Sequence, residues 1–195
     1  MLDRIKWMNS EMIVGGLVTL LSAIAAISGF QNANADSEQT RHNVEAQKLL
    51  TNANADYLSA NQLIGYDTTL YDNWVNADDP EKVEYYRDLF SPELEQVVST
   101  NPDADPFTEA YYTAMYRNAE AVFDEADAQF DMAEEFGDQS DALQVVMLIS
   151  AFGLSITAWS ALVKPDSPLR IIFVLVGLAL LIYCCFLLAT VPQAG

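Results

Sequence analysis

The sequence predicts an all-α membrane protein with three transmembrane helices, an extracytoplasmic antiparallel helical hairpin and a small helical cap. Three observations predict it. Met12–Phe30, Ala142–Val163 and Ile171–Val191 contain no Asp, Glu, Lys, Arg or His, and each approaches the ~20 residues that cross a hydrocarbon core. Between the first two lies Gln31–Asp141, with 25 acidic and 5 basic residues against 3 and 4 in the rest of the chain. Within that acidic segment, Gln31–Ile64 and Phe107–Phe136 lack both Gly and Pro, so nothing in them punctuates a helix.

The chain opens with a short tail, residues 1–11, carrying Arg4 and Lys6. Span 12–30 follows. Its Ala33-Asn34-Ala35 ahead of Asp36 matches the small-residue pattern of a signal-peptidase site, but the apolar run of 19 residues exceeds the ~7–15 of a signal core. The span is therefore expected to be retained. "NANAD" recurs at Asn32–Asp36 and Asn52–Asp56; a separation of twenty residues turns the copies to opposite sides of a helix. The pair reads as solvated helix, not as a repeated contact surface.

The ascending helix is placed at 31–64. Ala46, Leu50, Ala53, Tyr57, Ala60 and Ile64 fall at alternating steps of four and three, one stripe of a helix. The descending helix is placed at 107–141, opened by Asp105-Pro106 as cap and first-turn proline. Its stripe is Tyr112, Met115, Ala119, Val122, Ala126, Ala133 and Phe136, interrupted by Gln129. Gly137 stands where this helix could bend or end. Two helices of similar length, one leaving the membrane and one returning, give an antiparallel pair in the manner of a coiled coil, and the many alanines allow close approach. Residues 65–106 form the cap, with short helices from Asp79-Pro80 to Phe90 and from Ser91-Pro92 to about Thr100.

Spans 142–163 and 171–191 flank a connection, 164–170, holding Lys164 and Arg170. The positive-inside rule puts this connection and the N-terminal tail in the cytoplasm, leaving the acidic domain and residues 192–195 outside, at the cell membrane. Cys184 and Cys185 are neighbours in the third span, point about 100° apart, and read as apolar packing.

Little in the sequence points to catalysis. His42 is the only histidine and lies on a polar stretch of the first helix, which argues against the usual zinc sites and His-dependent triads. Two acidic clusters could take calcium: Asp78, Asp79 and Glu81 with Glu84, and Asp103, Asp105 and Glu109. Both also stand at helix N-termini, where carboxylates are favourable without any metal. No other cofactor is expected, and the negative field argues against nucleic acid. Trp74, Tyr85, Tyr86, Tyr111 and Tyr112 belong to an aromatic cluster around the cap. Its first reading is a core joining cap to hairpin, its second a surface for a partner or glycan. The acidity suits a saline exterior, and alternatively a basic partner or divalent cations.

"NANADYLSANQLIGYD", "AVFDEADAQFD" and "GLSITAWSALVKPDSPLR", with the order of spans, resemble a family of small bacterial and archaeal membrane proteins classed only as a domain of unknown function. The resemblance implies one N-terminal span, a helical middle and two C-terminal spans; it carries no activity and no site residues. The acidic cap at 65–106 departs from the family pattern. The expected function is non-enzymatic: a lipid-embedded protein whose outer domain mediates assembly, as a homo-oligomer or as an accessory subunit of a larger membrane complex. A channel-like homo-oligomer and a calcium-dependent or ligand-sensing module are the alternatives.

Overall fold

The computed structural model of the protein describes residues 11–165 and 167–194; the expected tail therefore lies, but for Glu11, outside the described residues. Five helices follow in order: α1 (Glu11–Val75), α2 (Pro80–Arg87), α3 (Pro92–Thr100), α4 (Glu109–Leu162) and α5 (Pro168–Thr190). No strand occurs among the described residues, and three of the helices are long and apolar enough to cross a membrane. The chain is an all-α membrane protein. It divides into two compact units, Met1–Asn43 with Asp131–Gly195, and Val44–Phe130. Helices α1 and α4 contribute to both.

The first unit bundles the start of α1, the second half of α4, and α5. Its inner positions recur every seven residues: Val14, Leu21, Ser28, Ala35 and His42 on α1; Leu143, Ser150 and Thr157, and Val146, Gly153 and Ser160, on α4; Arg170, Gly177 and Cys184 on α5. Such a period keeps one seam of each helix facing its neighbours. Small and weakly polar residues dominate that interior, while Leu20, Ile27, Phe30, Leu148, Phe152, Trp159, Ile172 and Phe186 point outward and stay exposed. Bulky apolar groups outside and small groups inside suit a lipid surround, where close backbone approach drives helix association. Two contacts express that approach. A side chain at Gly153 would meet Leu21, and one at Gly177 would run into the Thr157 hydroxyl.

Polar groups in this bundle bond both within a helix and between helices, Ser150 Oγ donating to Cys184 Sγ (3.3 Å). Thr157 Oγ1 donates to Gly153 O (2.8 Å) and Ser160 Oγ to Thr157 O (2.6 Å), and Asn32 Nδ2 donates to Ser140 O (2.7 Å) and Ser140 Oγ (2.9 Å). His42, expected on a solvated stretch, is buried and stacks on Phe136 with ring centroids 5.5 Å apart. Apolar packing against Phe136 offsets its polarity, and its Nε2 lies 2.7 Å from an Arg41 nitrogen.

The second unit is built on alanine. Ala46, Ala53 and Ala60 on α1 and Ala119 and Ala126 on α4 are all buried, again seven apart. Tyr57 stacks on Tyr116 at 4.8 Å, and the Tyr116 hydroxyl donates to Asn61 Oδ1 (2.7 Å). At the far end, Leu70, Phe90, Leu94, Val98 and Tyr111 make a core flanked by Ile64, Tyr71, Trp74, Tyr86, Phe107 and Met115.

Helix boundaries differ from the expectation in four places, each for a physical reason; α5 opens at Pro168, inside the expected connection 164–170, because Ser167 caps it. Helix α1 passes Ile64 and Gly65 and continues to Val75, because Asp67, Leu70, Tyr71 and Trp74 on that extension all find packing in the cap core or hydrogen bonds. Burial of those groups outweighs the ~1 kcal/mol that a helical glycine costs. Helix α2 stops at Arg87, which frees Phe90 to turn into the core. The Asp105-Pro106 pair forms a turn ahead of α4 instead of its cap: Asp105 Oδ1 accepts from Phe107 N (3.0 Å), and Thr108 O receives the first turn's bond from Tyr112 N (3.1 Å). Gly137 neither bends nor ends α4, which is continuous to Leu162.

Candidate functional site

The most constrained polar group of the second unit is Asp67. It is fully buried and its carboxylate gathers three donors from two other elements. Oδ1 accepts from Ser91 N at 3.0 Å; Oδ2 accepts from Ser91 Oγ and from the Tyr111 hydroxyl at 2.7 Å. Ser91 is simultaneously the N-cap of α3, where its Oγ accepts from Leu94 N at 3.1 Å. One carboxylate thus joins α1, the start of α3 and the first turn of α4. Enclosure in the core, then the hydrogen bond to Asp67 and that carboxylate's negative charge, push the Tyr111 phenol well above its ordinary range. A phenol held neutral donates steadily to a carboxylate that accepts from three sides, a satisfied buried network that fixes the cap.

The sequence reading did not single out Asp67, although a signal existed. It continues the series Ala46, Ala53, Ala60 by one more step of seven, which places it on the buried seam.

The aromatic candidates separate into two sets. Tyr111 is fully buried, and Trp74 and Tyr86 pack against the same core; Trp74 meets Phe90 edge-on at 5.9 Å and Tyr71 at 5.6 Å, with its Nε1 enclosed and without an acceptor. Tyr85 and Tyr112 remain exposed, Tyr85 standing 5.6 Å from Tyr86 and Tyr112 5.4 Å from Tyr111. The cluster is therefore core on one side and surface on the other.

All seven calcium candidates are exposed, and among the described residues no group of three or more His, Cys, Asp or Glu side chains is arranged to hold a metal ion. Asp79 caps α2, accepting from Glu81 N at 3.1 Å with Pro80 in the first turn. Glu81 stands in that turn, Asp105 caps the turn before α4, and Glu109 opens α4. Asp78 and Asp103 make no contact that draws either cluster together. Beside α2, Arg87 donates to Glu95 at 2.8 Å and 3.1 Å and to Ser99 Oγ at 3.1 Å; the pair holds the Glu95 carboxyl below its ordinary range.

Concavities accompany these groups, among them an open one of about 550 Å³ lined by Asp78, Pro80, Val83, Glu84, Arg87 and Asp88. A groove of about 200 Å³ in the second unit is lined by Asp56, Ser59 and Leu63 of α1, Glu93 of α3, and Met115 and Asn118 of α4. A cleft of about 300 Å³ in the first unit is lined by Gln31, Asn34, Glu38, Phe136, Gln139 and Gln193.

A different feature covers more surface. Val44, Thr51, Ala55, Leu58, Gln62, Tyr66, Thr69 and Asn73 follow one another at steps of seven, four and three along α1, on the side opposite Ala46, Ala53 and Ala60, and every one is exposed. Leu58 is 61 % exposed and Tyr66 51 %. None of these eight is charged, in a segment carrying 25 acidic residues; the one charge on the same face is Lys48, between Val44 and Thr51, paired with Glu45 at 3.1 Å. Comparison with protein-family models, characterised proteins and solved structures gives no match to the chain.

Proposed function

We propose that the protein is a non-enzymatic membrane component whose acidic helical domain faces the exterior and mediates assembly, by a coiled-coil-like contact along α1. The observation that carries this reading is the exposed stripe from Val44 to Asn73, which holds no acidic residue and a single cation, Lys48. A solvated helix in so acidic a domain has no physical reason to keep every carboxylate off one face from Val44 to Asn73 and to leave Lys48 as that face's single charge. Apolar positions recurring at helical spacing with little charge around them are what a helix–helix contact uses. The occupant is a second copy of the chain or a helical subunit of a larger complex. Arg4, Lys6 and Lys164 support the exterior placement through the positive-inside rule. The excess of acid over Lys supports adaptation to a saline surround.

The test is the mass of the detergent-extracted protein, measured by light scattering, for the unaltered chain and for the Leu58→Asp, Tyr66→Asp double variant. The expected result is an assembly that falls to single chains in the variant while helical content is unchanged. A single chain without bound partners in the unaltered protein overturns the reading.

A further inference from the structure

Arg170 is the one arginine of the first unit's seam, and its surroundings are unusual. The sequence places it in an open connection; the structure places it in the first turn of α5, on the face that continues through Val174, Gly177 and Cys184. Only 3 % of its surface is exposed, and its Nε is enclosed without a hydrogen-bond partner. None of the ion pairs among the described residues involves it. A guanidinium does not escape this situation by losing its proton. An enclosed guanidinium nitrogen that no carboxylate among the described residues pairs with is unfavourable, and more so at a membrane boundary than in water.

Whatever meets that charge must be small. The chain itself already covers the residue, so a second copy has no broad surface to offer it. Helical side chains lean toward the N-terminus of their helix, and for Arg170 that direction leads to the α4–α5 connection, where the bundle leaves the hydrocarbon layer. With α4 and α5 read as spans by their length and apolar composition, this end falls at the depth of lipid phosphates. The backbone of the first turn is already used: Leu169 N donates to Ser167 Oγ (3.3 Å) and Arg170 N to Ser167 O (3.1 Å), and Pro168 has no N–H. The guanidinium is therefore the available donor, and its planar fork matches phosphate oxygens two at a time.

We propose that Arg170 is the centre of a binding site for a phosphate group, supplied by a phospholipid headgroup or by free phosphate, at the α4–α5 end of the bundle. The positive end of α5 reinforces it, and basic pockets between membrane helices are known to hold lipid headgroups.

The test uses the full chain in maltoside micelles, which contain no phosphate. Thermal midpoints are measured for the unaltered protein, Arg170→Met and Arg170→Lys. Each is compared in micelles alone, with diacylglycerol, with phosphatidylglycerol, and with inorganic phosphate. In micelles alone, Arg170→Met is expected to melt no lower than the unaltered protein, because an enclosed charge has been removed. Phosphatidylglycerol is expected to raise the unaltered protein's midpoint by roughly 4 °C, to leave Arg170→Met unmoved, and to raise Arg170→Lys by less. Diacylglycerol has no effect in any of them. A shift reproduced by inorganic phosphate assigns the free ion; a shift confined to the phospholipid assigns the headgroup, and both support the site. An unaltered protein indifferent to both phosphate sources, or a midpoint gain equal in Arg170→Met, overturns it. If Arg170→Met does not fold, Arg170→Lys and the phosphate-against-diacylglycerol comparison on the unaltered chain decide the matter alone.

Discussion

Asp67 concentrates at one side chain what would otherwise need many contacts. Three hydrogen bonds converge on its carboxylate, so Asp67→Ala strands the Ser91 and Tyr111 donors inside a closed core. The expected loss is about 3 kcal/mol, read as a lowered denaturation midpoint of the full chain followed by near-ultraviolet circular dichroism. Tyr111 makes a separate prediction through pH. Its phenol ionises at a higher pH in the folded protein than in the unfolded chain, so the neutral form is the one that folding favours. The stabilisation is fully present below the unfolded value of about 10 and is lost progressively as pH climbs above it. Tyr111→Phe is expected to cost about 1–2 kcal/mol at neutral pH and to flatten the alkaline decline, seen by comparing unfolding midpoints between pH 8 and pH 11.5. The exposed Arg87–Glu95 pair is worth well under that despite its two-pronged geometry, since solvent screens it.

The helices were legible in the sequence to different depths, and the reasons are visible at particular residues. The three spans and the two Gly- and Pro-free stretches are long, strongly patterned segments, and they emerge as α1, α4 and α5. The proline-led starts of α2 and α3 also come out, since Asp79 and Ser91 cap them through their own side chains. The end of α1 was not legible, because Gly65 looks like punctuation when only local propensity is weighed. Its fate is decided by Leu70, Trp74 and Asp67 meeting residues far along the chain. Arg170 was legible as a cation and illegible as a buried one: Ser167-Pro168 is the same serine-proline start signal as Ser91-Pro92 and marks the opening of α5, but which face of that first turn is enclosed depends on packing against α1 and α4. Glycine substitutions test this difference between local and tertiary control. Nothing lies within 4 Å of a side chain built at Gly65, so Gly65→Ala is expected to stabilise the protein by about 0.5–1 kcal/mol. Gly177→Ala drives a methyl into Thr157 and is expected to destabilise by about 1–3 kcal/mol, with both midpoints measured in the same detergent.

For the molecule as a whole, the formal charge of −19 belongs almost entirely to Gln31–Asp141, while the three spans hold the bulky apolar groups outward. The acid-free strip from Val44 to Asn73 lies within that charged segment, and it fixes the sign of an ionic-strength experiment. Two identical chains meeting there bring like charges together, so adding sodium chloride tightens a self-made assembly by shielding the repulsion. A basic foreign subunit obeys the opposite law, and the same addition loosens it. Measuring the mass of the extracted protein from low to molar electrolyte therefore reveals kinship or foreignness in whatever rests against α1, before its identity is known.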